Sequence, residues 1–194
     1  YNYNMWLICG LGNPGRKFQY TRHNTGFLFI DALIKQNNFK LIKKDKSKKI
    51  YKGLIDDIEC ILCKPLTFMN LSGFPIQEVM SFFKISKSNL IVVHDDLDLP
   101  LGKIKIKVGG GNGGHNGLVS VDQMIGVAYK RLRIGIGHPG LKELVNKHVL
   151  EKFTTNEIKI IKQIIGLSVE NIYLLLHNKE LFLTKIASQL KISS

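Results

Sequence analysis

The chain has 194 residues, the size of one ordinary domain, and its 44% hydrophobic and 22% charged residues exclude a disordered or fibrous chain. No apolar run approaches the ~18 residues of a membrane span, the start carries no signal-peptide pattern, and Tyr1–Asn4, ahead of Met5, read as leader residues. Twenty-eight Lys and Arg against 15 Asp and Glu leave a net charge of +13, which favours a polyanionic partner, nucleic acid before acidic membrane; an AT-rich coding sequence is the plainer source of the lysines. Cys9, Cys60 and Cys63, odd in number and set in apolar stretches, read as core thiols of a cytoplasmic protein.

Strand-like and helix-like segments alternate, which predicts an α/β domain. Met5–Cys9 is a buried strand ending at Gly10. After a Gly/Pro-rich loop to about Arg22, Phe27, Leu28, Ile30, Leu33 and Ile34 recur at helical spacing, with Asn24 or Thr25 available as cap. The lysine-rich run 43–49 reads as a solvated connection, followed by paired strands at Ile50–Ile55 and Glu59–Lys64 with a turn at Asp56 and Asp57. Ser72 caps a second helix with Pro75 in its first turn, and Val79, Met80, Phe82 and Phe83 form its apolar face. Leu90–Val93 is a buried strand ending in His94-Asp95-Asp96. Lys103–Val108 alternates strictly, placing three lysines on one face. The glycine run 109–114 leads to a helix from about His115, Arg131–Gly137 is a strand, and helices capped at Thr154 or Thr155 fill 154–194. No repeat or linker divides the chain, so residues 1–194 are expected to form a single domain.

Two glycine patterns invite a dinucleotide site. Gly10-x-Gly12-x-x-Gly15 follows a strand, but Pro14 removes a backbone donor and the helical pattern begins only near Asn24; no acid ends a second strand about 20 residues on, where Lys35 and Gln36 stand. Gly109-x-Gly111-x-x-Gly114 does run from strand to helix, yet it too lacks the downstream acid. A close backbone approach to a bulky anion, or a plain turn, fits these loops better.

Ligands of open α/β sheets bind beyond the carboxyl ends of the strands, where Asn13, His23, Asn70, Asp95 and Asn116 fall. An imidazole, a carboxylate and carboxamides form a hydrolytic set: the imidazole takes a proton from water, the carboxylate fixes its tautomer, and amide N–H groups polarise a carbonyl. Each also has a plainer reading as a cap or turn, and His115 and His138 read as a helix start and a turn residue. A metal site built from His23, His94, Asp95, Asp96 and His115 lacks helical ligand spacing, and no G-x-S-x-G elbow supplies a serine nucleophile.

Six motifs in order resemble the bacterial-type peptidyl-tRNA hydrolase family: Gly-Leu-Gly-Asn13-Pro-Gly, Thr21-Arg22-His23-Asn24-Thr-Gly, Lys64-Pro-Leu-Thr-Phe68-Met69-Asn70-Leu-Ser-Gly, His94-Asp95-Asp96-Leu-Asp-Leu-Pro, Gly-Gly-Gly-Asn-Gly113-Gly-His115-Asn116-Gly-Leu and Arg131-Leu-Arg133-Ile-Gly-Ile-Gly-His-Pro-Gly. The resemblance implies a twisted mixed sheet with helices on both faces, and a monomeric esterase that frees tRNA from peptidyl-tRNA with no metal and no cofactor. It implies His23 as catalytic base and Asp95 as the residue that orients it. Asn13 holds the peptide, Asn70 and Asn116 position substrate and water, and Phe68, Met69, Gly113 and His115 join the substrate cleft. Phe18 stands where the family commonly has a Tyr. Lys105, Lys107 and Arg133 match basic positions used against tRNA. The competing classes are a non-catalytic RNA-binding module and a metallohydrolase.

Overall fold

In the computed structural model, which describes residues 5–193, β1 (Trp6–Gly10), β2 (Lys40–Lys44), β3 (Lys48–Ile55), β4 (Ile58–Pro65), β5 (Leu90–Asp96), β6 (Ile104–Val108) and β7 (Lys130–Gly135) form a seven-stranded sheet in the order β2-β3-β4-β1-β5-β7-β6. Residues 1–4, expected to be a leader, lie outside the described residues. Strands β4, β1, β5 and β7 are parallel neighbours, β3 and β6 run against them, and edge strand β2, antiparallel to β3, points the same way as the central four. The sheet is therefore mixed, and the carboxyl ends of its four central strands share one end.

Alternation along the central strands builds two cores. Ile8, Leu62, Ile91, Val93, Leu132 and Ile134 face α1 (Thr25–Asn37), α5 (Thr155–Glu170), α6 (Ile172–His177) and α7 (Lys179–Ser193), where Phe29, Leu33, Ile161 and Phe182 are buried. Leu7, Cys9, Ile61, Cys63 and Val92 face α2 (Gly73–Phe83) and α3 (Asn116–Ile125), meeting Ile76, Val79, Leu118 and Val121. Both faces of a largely parallel sheet are thus covered, as its continuous apolar strands require. The cysteines are buried and unbridged, and burial pushes the Cys60 thiol up to about 12. Among the described residues no helix is long and apolar enough to cross a membrane.

The first glycine pattern serves packing. A Cβ on Gly10 would lie 2.1 Å from the Gly26 carbonyl oxygen, and one on Gly26 would lie 2.3 Å from the Leu11 nitrogen. Strand β1 and the first turn of α1 touch backbone to backbone there, leaving no room for a pyrophosphate.

Several local expectations are corrected. The 43–49 run is no mere connection: Lys40–Lys44 pairs with β3 as an edge strand. All five of its residues are exposed, so it leaves no alternation to read. Phe82 is 79% exposed and stands off the buried α2 face, which Ile76, Val79, Met80 and half-buried Phe83 supply. Ser72 and Asn24 sit at helix starts without capping them. The Ser72 hydroxyl donates to the Met69 carbonyl, and the Gly73 N–H is met instead by Ser120 Oγ from α3. Thr154 does cap α5, in a reciprocal box with Glu157. The helices expected over 154–194 are α5, α6 and α7, whereas α4 (Val145–Leu150) has too few residues, six, to carry a periodicity that predicts it.

Candidate active site

His23 lies in a 3-10 turn between β1 and α1, and Asp95 in the last turn of ladder at the carboxyl end of β5. They are 72 residues apart in sequence, yet the His23 Nδ1–H reaches both Asp95 carboxylate oxygens, at 3.0 and 2.9 Å. That bond places the proton on Nδ1 and leaves the Nε2 lone pair with no partner among the described residues. Burial lowers the affinity of His23 for a proton, but the Asp95 charge and hydrogen bond outweigh it, and the net shift is upward from the ordinary imidazole value. Burial likewise pushes the Asp95 carboxyl up, and the bonds and charges of His23 and His115 more than reverse this, holding it well below the usual carboxylate range.

His115 is the second imidazole on Asp95. Its Nδ1 accepts the Gly117 and Leu118 N–H groups at 3.1 and 3.3 Å, as the cap of α3. Only Nε2 can then carry the proton, which it donates to Asp95 Oδ1 at 3.0 Å. The helix-start reading of His115 holds, and the same ring also completes the site. His94, fully buried, donates from Nδ1 to the Asp95 carbonyl; burial and the neighbouring His115 pull it down to about 4, so it is neutral. Asp96 is taken up by Arg133, whose Nε–H donates to it at 2.7 Å. Of the five residues considered as metal ligands, His23, Asp95 and His115 therefore converge, and their mutual hydrogen bonds account for the convergence.

These residues open on a cleft of about 610 Å³, lined also by Gly113, Asn116, Lys107, Arg133 and the 142–149 segment. Asn24, next to His23 in the chain, clamps the Asn13 N–H and carbonyl with its carboxamide at 2.8 and 2.9 Å. Asn13 Oδ1 accepts the Met69 N–H at 2.8 Å, so the amide group it can still offer is its Nδ2 donor. Phe18 and Phe68 meet edge to face at 6.5 Å.

The model of the peptidyl-tRNA hydrolase family matches residues 7–193. Peptidyl-tRNA hydrolases of Bartonella quintana and Bartonella henselae are 47% and 46% identical over 188 residues, spanning 96% of this chain and 97% of theirs. The chain belongs to the peptidyl-tRNA hydrolase family. A crystal structure of peptidyl-tRNA hydrolase from Acinetobacter baumannii, 38% identical over 96% of both chains, superposes with a TM-score of 0.89.

Within this peptidyl-tRNA hydrolase fold, the residues singled out in the sequence fall into two groups. His23, Asp95, Gly113, His115, Asn116, Lys107 and Arg133 share the cleft, whereas Asn13, Phe18, Phe68, Met69 and Asn70 do not line it; of these, Asn13 is bonded to Met69 and Phe18 meets Phe68. Asn70 and Asn116 are exposed, and their carboxamides form no hydrogen bond among the described residues. Lys105 shares its sheet face with Lys107 and Arg133, by the register Lys105↔Arg133 and Lys107↔Arg131, but does not line the cleft.

Three supporting residues escaped the sequence reading. Buried Arg131 donates to the Gly110 and Gly111 carbonyls and to Asp122, fixing the glycine loop from beneath. Buried Arg22 donates to the His148 carbonyl at 3.0 Å and to both Glu157 oxygens, tying the 142–152 segment and α5 to the turn that carries His23. Asn24 clamps Asn13. An arginine next to a functional residue carries no sequence signal that distinguishes a tether from a ligand contact.

Proposed function

We propose that this chain hydrolyses the ester between the peptide and the 3′-terminal ribose of peptidyl-tRNA by direct attack of a water activated at His23 Nε2, working as a monomer in the cytoplasm. The observation that carries this reading is the Asp95–His23 pair: a proton fixed on Nδ1 leaves Nε2 as the base on the cleft side. The ester is a better electrophile than an amide, so general-base help, typically worth ~10²–10⁴-fold, suffices without a covalent intermediate. Asp95 stabilises the imidazolium as the proton is taken, and the ribose oxygen leaves with that proton. The exposed carboxamides of Asn70 and Asn116 supply donors for the developing oxyanion and the attacking water.

Asn13 Nδ2 donates to a main-chain carbonyl of the peptide, a group present whatever the side chains, and Phe68 and Met69 flank it. Phe18 offers a ring but no hydroxyl, so any contact there is apolar. Lys105, Lys107 and Arg133 face the tRNA backbone. Rapid-quench mass spectrometry on single turnovers tests the direct attack: no peptidyl adduct on the protein is expected at any time, and an adduct on His23 or a serine would overturn it. A rate unchanged after exhaustive chelation is expected, and loss of turnover restored by a divalent ion would favour a metallohydrolase instead.

A further inference from the structure

The β2–β3 hairpin holds a concentration of charge that the catalytic reading leaves unused. Between residues 40 and 52 stand seven lysines against a single acid, Asp45. That acid is committed: Asp45 Oδ1 accepts Ser47 Oγ–H and N–H and the Lys48 N–H, and these bonds, Ser47 foremost, hold its carboxyl far below the usual range. Lys43 and Lys48 share it, Lys48 also pairs with Glu78, and Lys52 pairs with Glu59. Lys44, Lys46 and Lys49 form no ion pair among the described residues, and Lys44 faces Lys49 directly across the ladder. Like charges so placed repel one another, which costs stability unless an anion is brought to them.

Strand direction decides where this charge lies. Because β3 runs against β4 and β2 against β3, the 44–49 turn stands at the carboxyl end of β4, the end that carries the cleft. The Leu66 N–H donates to the Ser47 carbonyl at 2.7 Å, two residues before Phe68. The cations proposed to meet tRNA sit at the opposite edge, on β6 and β7, roughly 29 Å away at ~4.8 Å per strand spacing. Asn13 follows β1 and Phe68 follows β4, and both strands stand between the hairpin and β7–β6, so a peptide that passes Asn13 and Phe68 on the side away from an RNA on β6 and β7 approaches the hairpin. From β1 to β2 is three spacings, about 14 Å, which about four or five residues of extended chain cover.

We infer that Lys44, Lys46 and Lys49 form an electrostatic subsite for acidic side chains of the peptide, about four or more residues upstream of the ester. This rests on the hydrolytic reading above and adds a preference within its substrate class. The subsite is exposed and screened by salt, so its effect is modest, about threefold or more in KM at low ionic strength.

The experiment compares two peptidyl-tRNAs of equal length on one tRNA, with three Glu or three Gln at positions four to six from the ester. Each is given to the wild type and to the Lys44→Gln/Lys46→Gln/Lys49→Gln variant at low and high salt. The wild type is expected to show the lower KM for the Glu substrate at low salt only. In the variant that advantage disappears while hydrolysis of the Gln substrate is unchanged, which also shows the variant folded. An equal Glu advantage in both proteins overturns the subsite, as does its absence in the wild type. Weaker KM for both substrates together with weaker binding of deacylated tRNA overturns it in favour of an RNA contact. Failure of the wild type to hydrolyse either substrate overturns the hydrolytic reading itself.

Discussion

Asp95 and His115 are joined by a 3.0 Å bond that uses the same carboxylate oxygen His23 reaches, so one buried acid serves two imidazoles. His115 can play this part only because the start of α3 occupies its Nδ1 and fixes the proton on Nε2. His115→Ala removes both the cap and a donor to Asp95. The cap loss is expected to cost about 1 kcal/mol, or about 2–4 °C in Tm. With one donor fewer, the Asp95 charge acts more fully on His23, and the acid limb of the kcat/KM profile moves to higher pH. His115→Asn restores the cap and the Tm but keeps the shifted limb; a limb that returns with the Tm would make His115 a helix cap alone.

Asp95→Asn acts in the opposite direction. The carboxylate is what raises His23 above the ordinary imidazole value against the lowering effect of burial. Without it, burial prevails, His23 protonates only at more acid pH, and the acid limb moves down. Turnover falls by about 10²–10⁴-fold, because the imidazolium loses its counter-charge and the tautomer its lock. A pH–rate profile on purified variant and wild type reads both effects, and an unmoved limb would remove Asp95 from the base.

Much of this site was legible in the sequence, because a functional side chain at the end of an apolar strand stands out from its neighbours. Asp95 after Leu90–Val93 and Asn13 after β1 are such cases, and the strand boundaries around them came close to those found. What stayed hidden depends on partners distant in sequence. Edge strand β2 buries no residue and so shows no alternation, Phe82 has the spacing of a core residue but faces outward, and Arg131 differs from Arg133 only in what lies opposite. The free lysines of the β2–β3 turn were visible as charge but not as a feature of the cleft end until strand order was known.

The two arginines of β7 give separable predictions. Arg131 is buried and holds two glycine-loop carbonyls and Asp122, which also accepts from the Tyr129 hydroxyl. Arg131→Met strands that carboxylate and is expected to destabilise the fold by about 3–5 kcal/mol in denaturant titrations. A loss within about 0.5 kcal/mol, the range of an ordinary surface change, would contradict the clamp.

Arg133 lines the cleft but is already paired with Asp96, whereas Lys107 lines it with no ion pair among the described residues. Lys107→Gln should therefore reduce the slope of log binding constant against log salt for tRNA by about 0.9, the loss of one phosphate contact. Arg133→Gln should reduce it by less, since Asp96 offsets that charge before tRNA arrives. Equal losses for the two variants would show that the Arg133–Asp96 pair opens on binding.

The measurement closest to the centre of this account is single-turnover hydrolysis by His23→Ala, run beside tRNA binding by the same variant. Turnover is expected to fall by at least about 10²-fold at every pH while tRNA affinity stays at the wild-type level, since the base is lost and the cations are untouched. Hydrolysis at the wild-type rate by that variant would contradict the account and leave the site as a place where RNA is held.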